Sequence, residues 1–572
     1  MNHLWNYQTS STQQLEESHN LAKELGINPI LGQLLIQRGI HTPDEAKTFF
    51  HPQLKDLHDP FLMKDMDIAV SRLNQAIENK ERILVYGDYD VDGTTSVSLV
   101  YRFFQKYYSN IDYYIPNRYD EGYGVSKQGI SYAKETNVGL IIVLDCGIKA
   151  TEEITYAKKI GIDFIICDHH VPDETLPPAV AILNAKRLDN TYPYTDLSGC
   201  GVGFKFMQAF SIKNGIDFHQ LTPLLDLVAV SIASDIVPIM GENRILAYHG
   251  LKQLNTNPST GLKAILDICG LSDKEITVAD IVFKIGPRIN ASGRIETGKE
   301  AVDLLIERDI EVATKMSERI NEYNETRKDL DKAITEEANQ IVDNLEDLSN
   351  LRSVVLYNEA WHQGVIGIVA SRLTEIYYRP AVVLCKSGNL ATGSARSVPG
   401  FDVYKAIEHC KDLLDSFGGH TYAAGLSLKV EHIQEFSRRF EDYVTSHILP
   451  EQTHSHINID AELSFQEITR KFCKDLKKFN PYGPKNQKPI FSTEQVYDYG
   501  TSKVVGRKQE HIKLELIDSQ SNNILNGIAF GQSNHARYIK SRRSFDICYT
   551  IEANTHRKGE IQLHIEDIKP RE

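Results

Sequence analysis

Arg82-Ile83-Leu84-Val85-Tyr86-Gly87-Asp88-Tyr89-Asp90-Val91-Asp92-Gly93 is an apolar, β-rich run that stops in a turn carrying three carboxylates at alternate positions. The chain then repeats this rhythm. A helical stretch (Thr94 to Tyr107) leads to a second run (Ile111 to Pro116), another helical stretch (Lys127 to Thr136) to a third run (Gly139 to Leu144), and a third (Ala150 to Lys159) to a fourth run (Ile162 to Cys167). Strands that are apolar throughout and alternate with helices predict a parallel sheet covered on both faces, whose sites lie beyond the carboxyl ends of its strands.

The strand ends are where the chemistry collects. Asp88, Asp90, Asp92 and Gly93 fit the start of a calcium loop, but its twelfth position is Leu99 where a bidentate Glu is needed, so that reading fails. The third run ends in Asp145-Cys146-Gly147 and the fourth in Asp168-His169-His170. One strand ending in Asp is ordinary, because Asp also caps helices. Three strand ends gathering five carboxylates and two imidazoles on one sheet edge predict a site. Such a set suits Mn²⁺ or Mg²⁺, and the mutual repulsion of the acids implies two ions, the usual arrangement for phosphodiester hydrolysis. Asp235, in Ala233-Ser234-Asp235-Ile236-Val237-Pro238, ends an apolar helical stretch, and on that context alone it reads equally as a turn residue or a ligand.

Outward from this core, 572 residues are too many for one hydrophobic core and predict about three to five domains. Residues 1–75 read as an N-terminal helical segment and 76–306 as the catalytic α/β domain. A charged stretch, 307–350, has apolar residues at helical spacing (Val312, Met316, Ile320, then Ile334, Ala338, Ile341) and predicts a long connecting helix. A second, smaller α/β domain (351–450) follows. From 455 to 572, short alternating runs between Gly and Asn turns predict a small antiparallel barrel of OB-fold type. Composition is ordinary for a globular protein, with 41% hydrophobic and 24% charged residues, which excludes disordered, collagenous and coiled-coil classes. Eight cysteines without a CxxC pair predict a reducing compartment and no zinc module. The N-terminus has neither a basic start nor an apolar run, and the longest apolar stretch, Leu224 to Met240, is broken by two Asp, so a cytoplasmic chain is expected. Gly293 to Lys299 fits GxxxxGK, but Glu300 follows and no strand precedes it, so ATP binding is not predicted.

The set Asp88-Tyr89-Asp90-Val91-Asp92, Asp145-Cys146-Gly147, Asp168-His169-His170 and Ala233-Ser234-Asp235 resembles the successive motifs of the DHH phosphoesterases, and within them the single-strand-specific exonucleases. The likeness continues, in order, through Gly286-Pro287-Arg288 to Gly293-Arg294, Trp361 to Arg372, Gly393-Ser394-Ala395-Arg396 and Phe417-Gly418-Gly419-His420. It implies that Asp90, Asp92, Asp145, His169 and Asp235 hold two divalent cations. Asp88 and His170 then lie in or next to that set, and Asp168 orients an imidazole.

Physical reading extends the site. Gly418-Gly419-His420 is expected as a turn whose amides and imidazole meet an anion. Ser394 and Arg396 offer a hydroxyl and a guanidinium suited to a terminal phosphate, and Arg118 and Arg288 would complete a basic ring. The expected activity is metal-dependent degradation of single-stranded DNA from the 5′ end to 5′-mononucleotides, in repair and recombination. The alternatives are a family hydrolase of short oligonucleotides or cyclic dinucleotides, and a catalytically dead strand-binding subunit. The resemblance adds single-strand-binding protein and a RecQ-type helicase as expected partners, and a monomer is expected. A net charge of −14 argues against broad nucleic-acid binding, but it averages unlike parts: residues 500–572 hold 12 Lys and Arg against 9 Asp and Glu.

Overall fold

Strand β1 (Arg82–Gly87) is buried from Ile83 to Gly87, as its unbroken apolar run requires. It heads an all-parallel sheet with β2 (Ile111–Tyr114), β3 (Val138–Leu144), β4 (Asp163–Cys167) and β5 (Ala181–Leu183), in the order β2-β1-β3-β4-β5. The chain leaves β1 for β2 on one side and returns to β3 on the other. This makes the β1/β3 crevice a topological switch point, where open α/β sheets place their ligands. Helix α1 (Val91–Phe104), wedged between the sheet, α2 (Gly199–Lys213) and α3 (Leu225–Ser234), is buried along almost its whole length.

The computed structural model describes residues 3–345, 350–518, 521, 523–553 and 560–571. They divide into two compact units, one made of 60–235 and 250–455 and the other of 3–59, 236–249 and 456–571. In the first unit, α4 (Gly286–Ile295) leads toward the long helix α5 (Ile310–Asp343), which is capped by the Asp309 side chain. The stripe that α5 buries is the expected one at Ile320, Ile334 and Ala338 and departs from it elsewhere. Val312 and Ile341 are exposed, while Ala313, Ser317, Ile320, Asn324, Asp331, Ile334, Ala338 and Val342 face inward. The second α/β region carries β6 (Val354–Tyr357), α6 (Ile366–Tyr377), β7 (Ala381–Ser387), β8 (Leu390–Arg396), β9 (Leu414–His420) and β10 (Ala423–Lys429), in sheet order β9-β10-β8-β7-β6. Ala391 and Ala395 of β8 pack in the core, whereas Ser394 and Arg396 lie on the opposite face.

In the second unit, β11 (Phe491–Asp498), β12 (His511–Asp518), β13 (Ile524–Ala529), β14 (Phe545–Ala553) and β15 (Ile561–Pro570) close a five-stranded barrel, β11 pairing with both β14 and β12. It is not wholly antiparallel: β13 and β15 run parallel, because the chain crosses the barrel between β13 and β14 instead of returning by a hairpin. The N-terminal residues do not stand alone either. Leu21, Leu31, Leu34, Leu35, Phe49 and Phe50 share one apolar core with Phe472, Phe479 and the barrel interior. Their helices present an apolar face that nothing nearby in the sequence covers. Among the described residues no helix is long and apolar enough to cross a membrane.

Candidate active site

Each acid reaches the site by a local rule. Asp90 is the N-cap of α1 and accepts from Gly93 N at 3.0 Å. Gly93 is required there, since a Cβ would meet the Asp88 carbonyl oxygen at 2.4 Å. Asp92 sits inside the first turn. Its oxygens accept from Gly199 N (2.7 Å), Cys200 N (2.9 Å) and the Ser231 hydroxyl (2.7 Å), so the start of α2 and the middle of α3 hold it rigid. Asp145 follows β3 in a left-handed conformation (φ +59°), where an Asp is tolerated better than most residues. Its carbonyl accepts from the Tyr123 hydroxyl at 3.1 Å. Asp235 caps the C-terminal end of α3.

These side chains converge on His169. Its Nε2 lies 3.2 Å from Asp145 Oδ1, 3.6 Å from Asp235 Oδ2 and 3.9 Å from Asp92 Oδ2. Yet neither ring nitrogen has a hydrogen-bond partner, and nor does the buried Oδ1 of Asp88. Burial holds the imidazole of His169 below its usual range, so the ring is neutral and its nitrogens can ligate. Burial, then the charges of Asp92 and Asp90, raises the carboxyls of Asp145 and Asp235, the latter to about 9. Burial and the adjacent Asp90 raise Asp88 likewise. Buried acids that repel one another around an unpartnered neutral imidazole fit divalent cations, and two overlapping sets, Asp92/His169/Asp235 and Asp145/His169/His170, have ligand atoms close enough to share an ion.

Asp168 differs from the rest. Its Oδ1 accepts from His169 N (2.7 Å), His170 N (3.1 Å) and His170 Nδ1 (2.8 Å), and its Oδ2 from Ile148 N (3.0 Å). Burial would raise this carboxyl, but the His170 bond and charge outweigh it and hold it at about 2. The same pairing overcomes burial at His170 and raises its imidazole.

A second cluster, of opposite sign, lies in the same unit. Arg118 stacks over the Tyr89 ring at 4.9 Å. Arg396 donates to the Ser394 hydroxyl at 2.8 Å, and Gly367 of α6 leaves room for both, since a Cβ there would come within 3.0–3.1 Å of them. Arg294, which the sequence reading passed over in favour of Arg288, donates to the Gly364 carbonyl at 2.9 Å. Desolvation and the neighbouring Arg118, Arg327 and Arg396 push its guanidinium down to about 9. Arg288 is turned aside, donating to Asn321 Oδ1 (2.9 Å) and the Lys284 carbonyl (2.8 Å). Gly418-Gly419-His420 is not a turn but the exposed end of β9. Gly418 pairs with Gly425, opposite Ser394, and His420 with Ala423, opposite Arg396, so all four share one sheet face. The turn is Thr421-Tyr422, and Gly419 (φ +148°) lies so close to β10 that a Cβ would meet the Ala423 oxygen at 2.4 Å.

Sequence reasoning also missed Ser198-Gly199-Cys200-Gly201-Val202-Gly203. Its signal was three glycines in five residues opening a helix after a strand, and Gly199 packs so tightly that a Cβ would stand 2.7 Å from Asp145 Cβ.

Parallel sheet, acid-rich switch point and facing basic cluster together define a phosphoesterase of the DHH type. The model of the DHH family, N-terminal domain, matches residues 82–232, that of the DHHA1 domain 350–446 and that of the RecJ OB domain 459–567. The single-stranded-DNA-specific exonuclease RecJ of Bacillus subtilis (strain 168) is 35% identical over 505 residues, 88% of this chain, which spans 63% of that relative's length. RecJ of Salmonella typhimurium is 32% identical over 561 residues, covering 95% of this chain and 96% of its own. The crystal structure of RecJ in complex with Mn²⁺ from Thermus thermophilus shares the fold, with a TM-score of 0.84 and 23% identity over 100% of this chain and 80% of that one. The chain belongs to the RecJ family of single-strand-specific exonucleases.

Proposed function

We propose that this protein hydrolyses single-stranded DNA from its 5′ end, releasing 5′-mononucleotides, in repair and recombination. The observation that carries it is the convergence of two buried carboxylates, Asp92 and Asp145, and the half-buried Asp235 on the unpartnered His169 ring at the β1/β3 switch point, facing a cluster of arginines. Asp90, Asp92, Asp145, His169 and Asp235 hold two divalent cations, Mn²⁺ or Mg²⁺, with Asp88 completing the acidic wall. The chemistry such cations supply when bound is polarisation of the phosphodiester and acidification of a water.

The chain's own groups do the rest. Asp168 accepts from Nδ1 of His170, fixing the ring's direction and favouring its charged form, and His170 donates from Nε2, beside the Tyr123 hydroxyl, to the charge that develops on the phosphoryl oxygens. Arg118, Arg294, Arg396 and Ser394 take the terminal phosphate and so set the cut one nucleotide from the end, while Gly418, Gly419 and His420 pass the strand along the β8–β10 face. Arg288 buttresses α5. The barrel grips the strand by backbone charge and stacking. A helicase of RecQ type and single-strand-binding protein are the partners that would supply and clear the strand.

The test offers 5′-labelled single strand, duplex, oligoribonucleotide and cyclic dinucleotide to the purified chain with Mn²⁺ and with chelator. Release of labelled mononucleotide from the single strand alone, abolished by chelator, is the expected result. Metal-dependent cleavage confined to the cyclic dinucleotide would overturn the reading.

A further inference from the structure

The stripe that α5 buries is apolar at both ends and polar in the middle. Its first half packs on helix Thr260–Ile268 and on α4, and its last turns place Ile334, Ala338 and Val342 in the core of the second α/β region. Between Ile320 and Ile334 the same stripe carries Asn324, Arg327 and Asp331. A helix serving only as a spacer would continue its apolar seam here, because polar groups withdrawn from water without partners destabilise a fold.

Both flanks of this polar segment are pinned. Arg288 of α4 donates to Asn321, and Arg372 of α6 clamps Asp331 through Nε (2.8 Å) and Nη2 (2.7 Å). What lies between is not satisfied. Asn324 is fully buried, yet neither its amide oxygen nor its nitrogen has a hydrogen-bond partner, and the same holds for Nε of Arg327 and for Asn290 Oδ1 on α4. The register locates these groups. Arg288 meets Asn321 and Arg294 feels the charge of Arg327, six residues further along each helix, so the two helices run parallel and Asn290 lies nearly abreast of Asn324. On its other side α6 runs parallel to α5, since Arg372 meets Asp331 and Tyr377 meets Asp343, so Gly367, against Ser394 and Arg396, comes abreast of the Arg327 turn, and the acid nearest Arg327, Asp331, is already taken by Arg372. Guanidinium groups gathered round Arg294 in this way, those of Arg118, Arg327 and Arg396, call for an anion.

We propose that Arg327 and Asn324 belong to the terminal-phosphate pocket: Arg327 donates to an anionic oxygen of the phosphate, and the unpartnered amide nitrogen of Asn324 donates beside it. The long helix then reads the strand end as well as joining two domains. This rests on the end-recognition reading above.

The experiment uses the full chain with Mn²⁺ and two oligodeoxynucleotides, one 5′-phosphorylated and one with a 5′-hydroxyl, and measures kcat, KM and thermal midpoint for Arg327→Gln and Asn324→Leu. Arg327→Gln should raise KM for the phosphorylated strand about tenfold, the loss of one charge-assisted bond, with kcat and the 5′-hydroxyl KM within about twofold. Asn324→Leu should raise the thermal midpoint, because it removes an unpaired buried amide, while cutting the preference for the phosphorylated strand severalfold. An unchanged preference in Arg327→Gln, or a lower midpoint with preference intact in Asn324→Leu, would overturn the proposal. Equal cleavage of both strands by the unaltered enzyme would instead fail the end-recognition reading itself, and the proposal with it.

Discussion

Arg244 in the barrel unit and Arg294 in the catalytic unit are both pushed down to about 9, and both remain charged at neutral pH. Their surroundings are opposite. Arg244 is sealed from solvent, stacked over the Phe49 ring at 3.7 Å, and its donors reach five backbone carbonyls, those of Phe49, Lys478, Phe479, Asn480 and Pro481, at 2.8–3.2 Å. Arg294 is partly open to solvent and has other guanidinium groups for neighbours. Similar desolvation therefore serves two ends. A buried charge whose donors are all matched ties chain segments together, whereas charges crowded with their own kind are arranged for something that arrives later. The acids around His169 are the anionic version of the second case.

The comparison can be broken in four ways. Asp145→Asn should cost the largest factor, about a thousandfold or more in kcat for strand cleavage, while raising the thermal midpoint because it relieves repulsion among the acids. A fall in the midpoint would mean that those acids are structurally partnered after all. Arg244→Met should destabilise the chain by about 3–5 kcal/mol in urea titration, since it orphans five carbonyls in a sealed space. Arg294→Met should change stability by no more than about 1 kcal/mol and cut affinity for a 5′-phosphorylated strand about tenfold, read by fluorescence anisotropy with Ca²⁺ in place of Mn²⁺. Last, Asp235, with its carboxyl raised to about 9, is protonated at pH 7 before cations bind. Mn²⁺ binding should then release about one proton or more and tighten as pH rises toward 9, which calorimetry in buffers of different ionisation heat will show.

What the sequence made legible is what chemistry writes locally. An apolar strand that stops at Asp88, Asp145 or Asp168 announces both a parallel sheet and an acidic edge, because direction and side-chain type are fixed within a few residues. Asp235 stayed open on its own context because its approach to His169 depends on how α3 packs, and the clamp of Gly199, Cys200 and Ser231 on Asp92 spans more than a hundred residues. Arg288 and Arg294 share one motif but leave α4 about 240° apart, so only the packed helix decides which faces the cleft. Gly418 and Gly419 fit a turn by composition, and pairing with a later strand makes them sheet.

The shared core of the second unit has a consequence for the chain's history on the ribosome. Residues 3–59 leave the ribosome well before most of the apolar core that covers Leu31, Leu35 and Phe49, which lies beyond residue 456, about 400 residues later. At roughly 5–20 residues per second that is a wait on the order of tens of seconds, during which the earliest helices expose the faces they will eventually bury. A segment made early is thus among the last to find its place, and a truncation that removes the barrel strands residues 3–59 as well.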